Sequence, residues 1–81
     1  MPTLTLYGKP GCHLCDDARR AVRRATAGRD VVLEQVDVSL DPTLNARYGT
    51  RIPVLEIDGE TAFELFVDAG VLERRLDRVD V

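Results

Sequence analysis

A chain of 81 residues makes one domain, at a size where folding buries only about 60% of the surface the unfolded chain exposes. With 44% hydrophobic and 31% charged residues, it has apolar material for a single core and too much for a disordered tail. Two cysteines, one histidine, no tryptophan and a net charge of -3 exclude a disulfide-dense secreted scaffold, a four-cysteine zinc module and a basic nucleic-acid binder.

The first predicted element is a strand. Thr3 to Tyr7 alternates Thr-Leu-Thr-Leu-Tyr, and Gly8, Pro10 and Gly11 then break it. A helix follows, with apolar residues at positions 14, 15, 18, 21, 22 and 25 and a stop at Gly28. Its other side carries Asp16, Asp17 and the pairs Arg19-Arg20 and Arg23-Arg24, a mixed-sign solvated face rather than a phosphate-binding stripe. Val31 to Val38 is nearly continuous in apolar content, which predicts a central strand buried on both faces. Asp41-Pro42 opens a short helix, with aspartate as cap and proline in the first turn, and Gly49 closes it. Val54 to Ile57 and Thr61 to Leu65 flank Asp58-Gly59-Glu60 and predict an antiparallel hairpin. A last helix is expected from about Asp68 to Arg78, with Val71, Leu72, Leu76 and Val79 turned inward. The order is β-α-β-α-β-β-α: an α/β domain over residues 1–81, its four-stranded mixed sheet containing a parallel pair with a right-handed crossover.

The two cysteines stand at Cys12-His13-Leu14-Cys15, where the first helix begins. A bridge closing so short a loop removes little unfolded-state entropy, about 2 kcal/mol against more than about 4 for one spanning a domain. It is a poor staple, so the pair reads as a metal clip or a reversible dithiol. Within one chain a zinc site lacks ligands, since His13 adjoins Cys12 and their side chains diverge by about 100° on a helix. A site shared between two chains, each lending its pair, stays open, and it defines the alternative of a dimeric metal carrier using the Cys12 and Cys15 thiols.

Position separates the two sulfurs chemically. Unpaired N–H groups and the positive dipole end at a helix N-terminus favour a thiolate at Cys12, while Asp16 and Asp17 work against it. Cys12 is therefore the expected attacking sulfur, and Cys15, one turn deeper, the resolving thiol. No apolar run reaches membrane-spanning length, and Met1-Pro2-Thr3 lacks the charged and apolar regions of a signal peptide, so a cytoplasmic protein without membrane contact is expected.

Three segments together resemble the glutaredoxin-like proteins of the thioredoxin-fold superfamily, in the short group with a Cys-x-Leu-Cys site. They are Gly8-Lys9-Pro10-Gly11-Cys12-His13-Leu14-Cys15, Val36-Asp37-Val38 and Thr50-Arg51-Ile52-Pro53. The resemblance covers nearly the whole chain. It implies a thioredoxin-like fold and a thiol-disulfide oxidoreductase working in electron transport and cell redox homeostasis on protein or low-molecular-weight disulfides. It further implies a cis Pro53 beside the catalytic pair, with the backbone of Ile52 offered to an extended substrate. Lys9, His13, Leu14, Arg51 and Asp68 join Ile52 and Pro53 as its substrate-binding residues. Lys9 is implied to hold a glutathione carboxylate and support the thiolate. No bound cofactor is implied, only an external thiol reductant, glutathione or another donor; for the dimeric alternative, the resemblance implies an iron-sulfur carrier on the Cys12 and Cys15 thiols, as in some glutaredoxin-like proteins. The implied partners are a disulfide-containing protein and a reductase or low-molecular-weight thiol donor, with the chain itself a monomer. The chain departs from the family pattern at Leu14, where Tyr or Phe is usual. It departs again at Leu65-Phe66-Val67-Asp68-Ala69-Gly70, where only Asp68 matches the Gly-Gly-x-Asp-Asp stretch of glutathione users.

Overall fold

The computed structural model describes residues 1–79, and side chains through 78. Strand β1 (Thr3–Gly8) is followed by helix α1 (His13–Thr26), strand β2 (Val32–Asp37) and a single 3-10 turn at Val38–Leu40. Helix α2 (Pro42–Tyr48), strands β3 (Val54–Ile57) and β4 (Glu60–Glu64) and helix α3 (Ala69–Val79) complete the described residues. The strands lie in the order β2-β1-β3-β4, with β1 parallel to β2 and the other pairs antiparallel. This is the four-stranded mixed sheet and element order read from the sequence.

Local chemistry accounts for the boundaries. The Asp41 side chain accepts the N–H groups of Thr43 and Leu44 at 2.8 and 3.3 Å, and Pro42 occupies the first helical position, where no N–H is required. Asp68 caps α3 through the N–H of Val71 at 3.0 Å. Between β3 and β4, Asp58 and Gly59 take φ of +50° and +85°, the two positive values demanded by a tight hairpin turn.

Alternation in β1 sends Leu4 and Leu6 to one face, where they meet Leu55 and Ile57 of β3. Ala18, Val22 and Ala25 of α1 and Leu72 and Leu76 of α3 close over that face. A second cluster, which takes Tyr7 and Val54 from the other face and reaches Cys15 at the start of α1, joins Cys15, Val38, Tyr48, Ile52 and Val54, with Tyr7, Cys12 and Leu44 packed against it.

Three expectations require correction. Strand β2 lies at the sheet edge, not the centre: Val32, Glu34 and Gln35 are exposed and Leu33 is half-buried. The valine run read as a fully covered strand, but β3 pairs on the far side of β1 and leaves β2 one neighbour. In α3, Val71 is 37% exposed while Leu72 and Leu76, four residues apart, supply the packed face. Val79 was also expected inward, but its side chain lies outside the described residues. In α1, Leu14 falls off the buried stripe and is 52% exposed.

Candidate active site

The end of β1 delivers the chain to a sharp turn at Lys9, Pro10 and Gly11, where Gly11 takes φ of +75°, a conformation open to glycine at no steric cost. Cys12 is then the N-cap of α1, with extended backbone (φ -96°, ψ 109°). Its carbonyl accepts the first helical bond, from the N–H of Asp16 at 3.1 Å. Its sulfur accepts the N–H of Cys15 at 3.2 Å, the position a serine or aspartate oxygen takes in an ordinary cap. The helix end thus spends one of its free donors on the Cys12 sulfur.

Cys12 and Cys15 are paired as a disulfide, with Cα atoms 5.2 Å apart. Their surroundings differ. Cys12 is half-buried at the surface, whereas Cys15 is 1% exposed. A β-carbon built on Gly8 would lie 3.1 Å from the Cys15 sulfur, so glycine at the end of β1 makes room for the buried thiol.

The Ile52-Pro53 peptide bond is cis. Pro53 is fully buried, and Ile52 belongs to the cluster that contains Cys15 and touches Cys12. The N–H of Leu65 reaches the carbonyls of Arg51 and Pro53, at 3.2 and 2.8 Å, and ties the end of β4 to this loop. Among the described residues, neither the N–H nor the C=O of Ile52 has a partner within the chain.

The structure brings Cys12, Cys15 and Ile52 into one cluster, with the cis Pro53 next in the chain, and distributes the other expected site residues around them. Lys9 is exposed and lines a cleft that also reaches Cys15. His13 points outward, 87% exposed in its side chain and 3.9 Å from Asp17. Leu14 is an exposed apolar side chain in the first turn of α1. Arg51 is held by Glu64 at 3.3 Å and by the carbonyl of Arg47 at 2.8 Å, with its guanidinium 5.3 Å from the Tyr48 ring centre. Asp68 lies in a separate surface depression with Arg24 and Phe66, its carboxylate capping α3. Among the described residues, no three His, Cys, Asp or Glu side chains gather to hold a metal, and no helix is long and apolar enough to cross a membrane.

Sequence reasoning missed one group beneath the site. Tyr7 and Tyr48 stack with ring centres 4.2 Å apart, and both hydroxyls donate to Glu56, at 3.2 and 3.0 Å. Burial, the Tyr48 hydrogen bond and the Glu56 charge push the Tyr7 phenol up to about 12. The signal was present in the alternation, which places Tyr7 and Glu56 off the aliphatic face, but their meeting depends on the register of β1 with β3. Tyr48 directly precedes the segment that carries Ile52 and Pro53, so this cluster anchors that loop.

Comparison with known proteins agrees with this geometry. The family described as Glutaredoxin-like domain (DUF836) matches residues 3–77. Target protein XcR50 from X. campestris is 37% identical and superposes with a TM-score of 0.77 over 93% of this chain and 96% of its own. Protein Ne2328 from Nitrosomonas europaea is 26% identical, with a TM-score of 0.75 over 91% and 89% of the two chains. A mutant thioredoxin from Halobacterium salinarum shares the fold, at 23% identity and a TM-score of 0.70 over 95% of this chain and 73% of its own. With the cysteine pair at a strand-to-helix junction beside a cis proline, and a family match running from β1 into α3, the chain belongs to the glutaredoxin-like domain family.

Proposed function

We propose that the protein is a dithiol thiol-disulfide oxidoreductase that reduces protein or low-molecular-weight disulfides in a reducing cytoplasm. The observation that carries this reading is the asymmetry of the pair, with the Cys12 sulfur at the helix cap accepting an N–H and the Cys15 sulfur sealed behind it. In the reduced protein that N–H and the helix terminus favour the Cys12 thiolate, the nucleophilic form. The thiolate attacks one sulfur of a substrate disulfide, and the other leaves as a thiol. Cys15 then attacks Cys12, releases the second substrate thiol and leaves the Cys12-Cys15 disulfide. An external thiol, glutathione or another donor, or a reductase, returns the pair to the dithiol. The unpartnered N–H and C=O of Ile52 support an extended substrate backbone laid beside the cis proline.

Disulfide-reduction kinetics of Cys12→Ser and Cys15→Ser test the assignment. Cys12→Ser is expected to lose activity, and Cys15→Ser to stop at a trapped mixed disulfide. Wild-type activity in Cys12→Ser sinks the assignment. Iodoacetamide alkylation against pH is expected to place the Cys12 thiol below its ordinary value of about 8.5.

A further inference from the structure

A cleft of about 390 Å³ opens between the end of β1, the first turns of α1 and the end of β2. Of the residues around the disulfide it shares only Cys15 with the cluster that holds Ile52, so it is a second approach to the buried sulfur. Gly8 and Cys15 line it together with the charged residues Lys9, Asp16, Arg19 and Asp37. Where β1 passes the Cys15 sulfur it presents only a glycine hydrogen, because a β-carbon there would come within 3.1 Å.

Gly8 is in register with Asp37 on β2. In-register residues of a parallel pair project from the same face, on strands about 4.8 Å apart. Asp37 therefore projects from the face on which Gly8 meets the Cys15 sulfur, and both Asp37 and Cys15 line the one cleft. The two carboxylates there are not equivalent. Asp16 is held in an ion pair with the Arg19 guanidinium at 2.9 Å. Asp37 accepts the N–H and hydroxyl of Ser39 through Oδ1, at 2.9 and 2.6 Å, and among the described residues it has no cationic partner.

The proposed chemistry leaves a proton to be placed. Cys15 is 1% exposed, and burial disfavours its thiolate, yet it must lose a proton to resolve the mixed disulfide. We propose that Asp37 accepts this proton across the cleft, through water held between the carboxylate and the Cys15 sulfur. The inference rests on the dithiol reading above. In the step, the S–H proton of Cys15 passes by way of water to the Asp37 carboxylate. The Cys15 sulfur forms its bond to Cys12, and the Cys12-substrate bond breaks with its electron pair leaving on the substrate thiolate. Solvent protonates that thiolate, and Asp37 returns its proton to the cleft water. The cleft is large enough for several waters, and its charged residues supply partners for them. The charged groups facing Asp37 are Lys9 from the turn and Asp16 and Arg19 from α1, with Gln35 the uncharged neighbour on its own strand.

The test mixes the reduced protein with a limiting amount of 5,5′-dithiobis(2-nitrobenzoate) in a stopped-flow instrument across a pH series. The first release of coloured thiolate reports attack by Cys12, and the second reports resolution by Cys15. Asp37→Asn, whose amide oxygen can still accept from Ser39, is expected to slow the second release relative to the first by at least about ten-fold and move its pH midpoint upward. Asp37→Glu is expected to recover the ratio to within about three-fold, and Asp16→Asn to change it by less than about two-fold. An unchanged ratio and profile in Asp37→Asn, or an equal effect from Asp16→Asn, overturns the proposal. A wild-type protein with no second release overturns the dithiol reading together with it. Carbon NMR of the wild-type protein provides a check without any variant. The Asp37 carboxyl carbon is expected to follow the titration of Cys15 in the dithiol form and to lose that response in the disulfide form. Independent titration of the two groups overturns the proposal.

Discussion

The face of the sheet under α1 and α3 is filled at its centre by Leu4, Leu6, Leu55 and Ile57, and the core packed on them is aliphatic and aromatic, with polar side chains such as Gln35 only toward the β2 edge. The face under α2 carries Tyr7, Val54 and Glu56, and its cover is one seven-residue helix. Two mechanisms of cohesion divide between these faces. Non-directional burial holds the first, at about 25 cal/mol per Å² of apolar surface removed from water. Directional contacts hold the second: a tyrosine stack and two hydroxyls converging on one carboxylate. Burial tolerates small displacements, whereas hydrogen bonds fix position. The face that needs positional control is the one that carries the Tyr48-to-Pro53 segment beside the cysteines. In a chain of 81 residues, the aliphatic cluster thus supplies burial, while the tyrosine group holds the segment that approaches the cysteines from the other side.

The largest effect expected from this division is at Leu55, which is fully buried and pairs with Leu6 and Phe63 at the centre of the aliphatic face. Leu55→Ala should lower unfolding stability by about 2 to 5 kcal/mol in urea titrations, through lost transfer energy and the cavity left behind. A smaller loss than that from Glu56→Ala would break the comparison. Glu56→Ala removes the acceptor of two tyrosine hydroxyls and should cost about 1 to 3 kcal/mol, with amide exchange rising first across residues 48–53. Glu56→Gln keeps an oxygen in place and should cost less than the alanine variant. If exchange at 48–53 follows global unfolding alone, the cluster contributes stability and does not anchor the loop.

Some of these features are legible in the sequence and others are not, for identifiable reasons. Contiguous signals were sufficient for the cysteine pair at a helix start, the Asp41 cap and the Asp58-Gly59 turn, because each depends on residues within a few positions of one another. The cis bond before Pro53 has no such local signature, and it followed from the resemblance of Thr50-Arg51-Ile52-Pro53 to a known family. Strand β2 was misplaced because continuous apolar content records how much a strand could bury, not how many neighbours it has. The Tyr7-Glu56-Tyr48 group was missed because its members lie on three elements and meet only once register is set. Likewise, the approach to Cys15 from β2 depends on Gly8 facing Asp37, a pairing between segments 29 positions apart that no local pattern encodes. Asp68 shows the opposite case. Its resemblance to a ligand-binding aspartate and its local role as a helix cap were both legible, and the structure shows the carboxylate serving as the cap.

The finest test of the two-face comparison is pH. The Tyr7 phenol is pushed from 10.0 to about 12, first by burial, then by hydrogen bonding of its O–H toward Tyr48 and the charge of Glu56. Because the folded value is raised above the unfolded one, the neutral phenol favours the folded state below pH 10.0, and that contribution is lost as pH rises toward about 12. The native protein binds the extra proton throughout this window, so stability falls with increasing pH. Spectrophotometric titration should show one phenolate appearing near pH 12, and Tyr7→Phe should remove it. In the same window, unfolding midpoints should decline less steeply for Tyr7→Phe than for the wild type. Lysine, arginine and carboxylate groups elsewhere contribute equally to both proteins, so the difference between the two slopes isolates Tyr7. Equal slopes would mean that Tyr7 is as hydrated in the folded protein as in the unfolded chain, and the face under α2 would then owe its cohesion to Val54, Tyr48 and their apolar neighbours rather than to the hydroxyl contacts.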